Sequence, residues 1–253
     1  MLAKSLCLRY TLIMKKILSA MRRAVQDFHM IEDGDKIAVG ISGGKDSLVL
    51  FESLYQYSKF SPEKFSLIAV NINMGFKETS EEQMEKLRAF FRERAVPFIE
   101  EKTDIAEIIF EIRKETNPCS LCSKLRRGAL CSIAAREGAN KVALGHHADD
   151  VLETFLLSFM HEGRLSTLSP TSYLTRTETT VIRPLLYVDE KDIRGVQRRY
   201  DLPVVFNPCP ADKHTRREFM KKLVEDLRTE IPDVRKSMIS AITHPDRYNL
   251  WKK

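Results

Sequence analysis

Apolar residues along this chain fall into short unbroken runs and longer periodic stretches, and the two kinds alternate. Lys36–Ile41, Phe65–Ile72, Pro97–Ile99, Lys141–Gly145 and Thr180–Ile182 are runs of the first kind, which predicts strands. Between them Asp46–Tyr57, Thr79–Arg94, Leu121–Glu137 and Asp149–Met160 read as helices. Strands that are apolar throughout are buried on both faces, and strands separated by helices pair in parallel. The pattern therefore predicts an α/β fold with a doubly wound, mostly parallel sheet, whose ligands sit at the carboxyl ends of the strands. From Asp189 onward strand signals stop, and helical stretches are interrupted by Pro203, Pro208, Pro210 and Pro232. The expected organisation is a basic helical segment over 1–30, a sheet domain over 31–188 and a helical appendage over 189–253 that carries Cys209.

Composition narrows the class. With 43% hydrophobic and 30% charged residues the chain suits a soluble globular protein. Its longest apolar stretch, Val151–Met160, contains Glu153 and falls far short of the roughly 20 residues that span a bilayer. No membrane partner is expected. Leu2–Met14 is interrupted by Lys4 and Arg9 and has no small-residue cleavage site, so a cytoplasmic location is expected over a secreted one. The net charge of +6 is unevenly spread: Lys4, Arg9, Lys15, Lys16, Arg22 and Arg23 face only Asp27 in the first segment. Such an excess is either a solvated helix face or a surface for phosphates, and it favours a polyanionic partner. Five cysteines, at positions 7, 119, 122, 131 and 209, are an odd number for a disulfide scaffold; in a reducing compartment they point to metal or sulfur chemistry.

The densest chemical signal is Ser42-Gly43-Gly44-Lys45-Asp46-Ser47, set between a predicted strand and a predicted helix. The glycines let the backbone turn tightly and bare its N–H groups, and the helix adds the positive end of its dipole, so an anion is favoured there. Ser42, Lys45 and Ser47 add hydroxyl and ammonium donors. The loop is not a Walker A motif: Asp46 stands where Ser or Thr should follow the lysine, and Val39 where the first glycine should be. A second segment, Gly145-His146-His147-Ala148-Asp149-Asp150 followed by Glu153 and Thr154, ends another apolar strand. Adjacent carboxylates at a helix start are either an N-cap with a first-turn acid or a metal- or substrate-orienting pair. Cys119 and Cys122, separated by two residues, can face one metal site, and Cys209 between two prolines can close it from a distant loop. His214 is a candidate fourth ligand, which keeps zinc open. Cys131 reads as a buried residue on an apolar helix face.

Taken in order, Ser-Gly-Gly-Lys-Asp-Ser, Pro-Cys-Ser-Leu-Cys with Arg126-Arg127-Gly128, Gly-His-His-Ala-Asp-Asp, and Asn-Pro-Cys at 207–209 resemble the tRNA 2-thiocytidine synthetases. These are a branch of the PP-loop ATP-pyrophosphatases, with an adenine nucleotide alpha hydrolase-like fold. The resemblance runs from about Met21 to Lys222. It implies that the sheet domain is a PP-loop ATP-binding domain bearing the CxxC helix as an insertion, and that the chain is an enzyme forming AMP and pyrophosphate. ATP would lie across the strand ends, with adenine near Val39, Val70 and Ile72. Its phosphates would lie on Ser42, Gly43, Gly44, Lys45 and Ser47, with Mg²⁺ on Asp46, and Gly145, His146, Asp149 and Asp150 would border the nucleotide. Cys119, Cys122 and Cys209 would hold a [4Fe-4S] cluster, and Arg126 would bridge it to nucleotide phosphate. Asp46, Asp150 and the three cysteines are then the expected catalytic residues. Expected partners are tRNA, a cysteine desulfurase or free sulfide as sulfur source, and a second copy in a possible homodimer. The related branch that thiolates uridine carries zinc ribbons, which need more cysteines than this chain has. Two other readings stay open: an AMP-forming ligase or amidotransferase-type enzyme with structural cysteines, and a metal-stabilised RNA-binding module.

Overall fold

A computed structural model describes residues 2–76, 80–116, 118–211 and 216–251, with side chains from residue 12 onward. Thr79, His214 and the Cys7 side chain, all part of the expectations above, lie outside the described residues. The apolar runs become strands: β1 (Lys36–Ile41), β2 (Ser66–Asn73), β3 (Phe98–Lys102), β4 (Lys141–Ala143) and, later in the chain, β6 (Thr179–Ile182). The intervening helices are α2 (Lys45–Tyr57), α3 (Glu81–Glu93), α4 (Pro118–Arg136) and α5 (Ala148–Glu162). They are preceded by α1 (Leu2–Asp27) and followed by α6 (Glu190–Arg199), α7 (Arg216–Glu230) and α8 (Val234–Thr243). A π-helical turn at Glu107–Ile112 and the strand β5 (Thr171–Leu174) were not signalled by the pattern. β5 is an antiparallel edge strand with a polar sequence, and an edge needs no continuous apolar run. β3, at the other edge, likewise runs on past Ile99 through Glu100 and Glu101.

The strands form one sheet in the order β3-β2-β1-β4-β6-β5, parallel except for β5. The chain winds outward from β1 in one direction to β3 and in the other through β4, so the order reverses between β1 and β4. Ligands of open α/β sheets bind at such a reversal, beyond the carboxyl ends of the strands. Here those ends lead into Ser42–Ser47 and into Leu144–His147. β1 is the central strand, and Ile37, Ala38, Val39 and Ile41 are buried.

α4 decides where the cysteines go. Its last turn lies at the amino end of β1, where Lys36 Nζ donates to the Glu137 carbonyl at 2.6 Å. Its first turn lies at the carboxyl end of β2, where the Cys122 thiol is 3.9 Å from the Met74 sulfur. Leu130, Cys131, Ile133 and Ala134 fasten the helix between these points onto Ala38, Ile68, Val70, Val142 and Val181. Burial of each large aliphatic side chain in that layer contributes about 1.5–3 kcal/mol. Cys131 is 1% exposed within it. The crossing therefore delivers Cys119 and Cys122 to the same edge of the sheet as the phosphate loop.

The chain divides into two compact units. Met1–His147 with Pro170–Asp212 contains the sheet, α6 and Cys209; Ala148–Ser169 with Lys213–Lys253 contains α5, α7 and α8. The second unit has its own small core of Leu152, Leu156, Met220 and Val224, flanked by Leu157, Leu223, Met238, Ile239 and Ile242. Among the described residues no helix is long and apolar enough to cross a membrane.

Candidate active site

The phosphate loop is held open by its own small residues. Gly43 has φ +82°, the left-handed region that side-chain-bearing residues avoid, and a Cβ there would come within 2.9 Å of Val205 Cβ. Gly44 is the N-cap of α2 and supplies no side chain, so the N–H groups of the first helical turn face outward with no intrahelical acceptor. The Ser47 hydroxyl knits the turn together. It donates to the Gly44 carbonyl at 2.8 Å and accepts from the Ser42 N–H at 3.2 Å, while Gly44 N–H donates to Ser42 Oγ at 3.3 Å. Ser47 is buried, so it shapes the cradle from beneath.

Lys45 and Asp46 supply the charges. Lys45 Nζ lies 3.1 Å from Asp46 and 3.0 Å from Glu190 Oε1 at the start of α6. Burial alone would lower the Lys45 pKa, but the Asp46 and Glu190 carboxylates outweigh it and hold the group above its ordinary value. The buried His147 places Nε2 3.6 Å from Asp46 Oδ1. Gly145 is a contact of backbone on backbone: a Cβ there would lie 3.0 Å from the Asp46 carbonyl carbon and 3.1 Å from Ser47 N. The loop after β4 thus presses directly on the first turn of α2. His147 and Glu190 were not singled out from the sequence, whereas the neighbouring His146 was and is half-buried in the same loop. Of the residues expected at adenine, Val39 and Val70 are buried within β1 and β2, and Ile72 is half-buried at the carboxyl end of β2. Asp46, with a side chain 34% exposed at the loop, is the kind of single carboxylate that shares Mg²⁺ with substrate phosphates.

Cys119 and Cys209 lie near enough to Cys122 to act on its thiol electrostatically. The Cys122 thiol is raised above its usual pKa, first by burial and then by the nearby Cys209 and Cys119, against the pull of Arg126, which is in hydrogen-bonding reach. Cys119 is exposed and Cys209 half-buried. Cys209 is positioned from the loop itself: Val205 N–H donates to the Gly43 carbonyl at 3.0 Å, and Phe206 N–H to Gln83 Oε1 at 3.0 Å. Beyond that anchor Cys209 N–H donates to Asn207 Oδ1 at 3.3 Å. Among the described residues no three His, Cys, Asp or Glu side chains are gathered for a single metal ion.

In the helical unit, Asp149 and Asp150 open α5. Arg235 of α8 grips Asp149 with both terminal nitrogens, one at 2.9 Å. Arg217 of α7 reaches Asp150 and Thr154 Oγ1, each at 3.3 Å. Glu153, one turn on, is 8% exposed. Its carboxyl is pushed up to about 7, first by burial and then by Asp150, against Arg217 and Lys221.

A strand, a glycine turn and a helix at a sheet's reversal, with an acid inside the anion cradle, describe a nucleotide site of one family. The chain belongs to the PP-loop family, whose domain model matches residues 14–227. Within that family it groups with proteins named tRNA-cytidine(32) 2-sulfurtransferase. It is 42% identical to that of Geobacter sulfurreducens over 233 residues, covering 90% of this chain and 89% of the relative. To that of Syntrophotalea carbinolica it is 40% identical over 235 residues, covering 91% and 89%. Among solved structures, the U34-tRNA thiolase NcsA from Methanococcus maripaludis with its [4Fe-4S] cluster shares the fold. The TM-score is 0.77 at 23% identity, covering 96% of this chain and 82% of that one.

Proposed function

We propose that the chain is an ATP-dependent tRNA sulfurtransferase that activates the C2 carbonyl of a tRNA cytidine with ATP and replaces its oxygen with sulfur. The observation that carries this reading is the Val205 to Gly43 hydrogen bond, which ties the segment bearing Cys209 to the loop that takes the phosphates. A ligase needs no thiols at that edge of the sheet, whereas sulfur transfer needs activation and sulfur delivery side by side.

The residues divide the work as follows. The outward N–H groups of the α2 first turn and the Lys45 ammonium receive the β and γ phosphates and stabilise charge on the departing pyrophosphate. Gly43 and Gly44 admit the phosphates close to the backbone, and Ser42 stands at the rim. Asp46 would hold Mg²⁺, which supplies further charge neutralisation on the pyrophosphate. Ile72 borders the adenine at the strand end, above Val39 and Val70; Gly145 and His146 border the nucleotide on the β4 side. Within the helical unit Asp149 and Asp150 are oriented by Arg235 and Arg217. The base oxygen attacks the α phosphate, so the oxygen leaves as part of AMP when sulfur takes its place. Cys119, Cys122 and Cys209 would hold a [4Fe-4S] cluster, which would carry the incoming sulfur beside the activated base. Arg126, beside Cys122, orients phosphate toward it. The sulfur enters as free sulfide, or as a persulfide from a cysteine desulfurase together with two electrons from a thiol reductant; the setting is the cytoplasm, and a homodimer is compatible with this scheme.

The test is anaerobic purification with iron, acid-labile sulfide and zinc measured on the same sample, beside Cys119→Ala, Cys122→Ala and Cys209→Ala. About four irons and four sulfides per chain are expected, lost in each variant, together with ATP-dependent 2-thiocytidine in tRNA digests. Stoichiometric zinc, or ATP turnover and thiolation that survive all three substitutions, would sink the reading.

A further inference from the structure

Glu190 is far in sequence from the phosphate loop, yet its carboxylate lies 3.0 Å from the ammonium that the loop offers to phosphate. Its side chain is only 10% exposed, so water does little to dissipate the attraction. The carboxylate also has a second cation, Arg194 Nη2, which donates to it at 2.8 Å from one turn along α6. The segment that follows α6 is itself tied to the loop, through the hydrogen bond from Val205 to the Gly43 carbonyl. Buried and paired with Arg194, Glu190 stays in place, while Lys45, on a flexible four-carbon stem, can turn away. When Lys45 turns to a phosphate, Arg194 still neutralises the carboxylate left behind.

We infer that Glu190 is a positioning residue that competes with nucleotide phosphates for Lys45 and thereby sets how tightly the loop holds ATP and how readily it lets pyrophosphate go. Resting on the reading of Ser42–Ser47 as a phosphate site, it assigns Glu190 the task of reclaiming Lys45 as pyrophosphate departs. A cradle without this carboxylate would bind both ATP and pyrophosphate more firmly. Such binding lowers KM without helping turnover.

The experiment is calorimetric titration of the anaerobically purified holoprotein with MgATP and with magnesium pyrophosphate. Glu190→Gln keeps the shape but removes the competing charge, and it is expected to tighten both ligands by about five- to tenfold. Arg194→Met, at a side chain 47% exposed, leaves Glu190 with Lys45 as its main cation and is expected to weaken both by about threefold. In a Lys45→Met background Glu190→Gln should change neither affinity. A substitution that only loosens the start of α6 weakens binding, so tightening separates competition from a structural role. Unchanged or weaker binding in Glu190→Gln, no weakening in Arg194→Met, or tightening that persists without Lys45 would overturn the inference. Wild-type protein that binds no MgATP would instead overturn the phosphate-site reading. Wild type that binds MgATP and thiolates tRNA, with variants that do not shift in these directions, removes only the role of Glu190.

Discussion

The phosphate loop and the opening of α5 are both dense in charge, and they manage it in opposite ways. In the loop one ammonium is shared between two carboxylates, Asp46 and Glu190, and the remaining donors are backbone N–H groups shaped by Gly43, Gly44 and the Ser47 hydroxyl. At α5 each aspartate has its own guanidinium, with Arg235 forked onto Asp149 and Arg217 bridging Asp150 and Thr154. The Asp46 side chain is 34% exposed, whereas those of Asp149 and Asp150 are 18% and 19% exposed. Charges at the loop are thus exchangeable with those of an incoming anion, and charges at α5 are committed to joining helices. The first arrangement depends on backbone clearance and the second on ion pairing, so they should break under different substitutions.

The largest effect is expected from one methyl group at the loop. Gly145→Ala places a Cβ against the backbone of Asp46 and Ser47, and those atoms belong to the helix start that aims at the phosphates. A displacement approaching about 1 Å is enough to cost about a hundredfold in rate. ATP-dependent thiolation should fall by that order in kcat/KM while the far-ultraviolet dichroism and the melting temperature change little. A variant with wild-type kcat/KM would show that the contact between the β4 loop and α2 does not set the phosphate geometry.

At α5 the expected response is loss of stability. Arg235→Met leaves Asp149 without its fork, and for a pair between fully buried and fully exposed the cost is about 2–3 kcal/mol. Urea unfolding should show that loss, and Asp149→Asn in the same chain should recover most of it because the stranded charge is gone. The equivalent truncation in the loop, Lys45→Met, should cost no more than about 1 kcal/mol, since Arg194 and His147 remain beside the two carboxylates. Equal losses at the two places would erase the distinction between exchangeable and committed charge.

These contrasts also explain what was legible in the sequence. The loop is written in consecutive residues, and glycine turns, helix starts and apolar strands are local properties, so its place at the end of β1 followed from the pattern. The sheet followed as well, except at its edges, where β5 and the end of β3 expose polar residues and lose the apolar signature. The partners of the loop were not legible. Nothing in adjacent histidines says that His147 is the one beside Asp46, and nothing near Glu190 announces an ammonium contributed from Lys45. The glycine at 145 was visible, but its reason, the backbone of α2 against it, exists only in three dimensions. α5 reads as one more helix of the sheet because apolar residues occupy several of its faces; that it shares a core with Met220 and Val224 depends on residues far downstream.

The smallest effect is expected from a single proton at α5. An ordinary glutamate titrates near 4.5, but burial and then Asp150 push Glu153 up to about 7, with Arg217 and Lys221 opposing and Asp149 adding to the rise. Between those values the folded chain keeps a proton that the unfolded chain has released, so stability falls as pH rises through the window and stays reduced above it. Glu153→Gln retains the shape and needs no proton. It should be more stable than wild type by on the order of 2 kcal/mol near pH 8, with the difference shrinking to nothing as pH falls toward about 4.5. Urea unfolding of both proteins across that range reads the effect directly. Because Asp149 and Asp150 carry their own arginines, the pH dependence should survive Arg235→Met and vanish only with Glu153. Curves that run parallel from low to high pH would mean that Glu153 ionises as a surface carboxylate does.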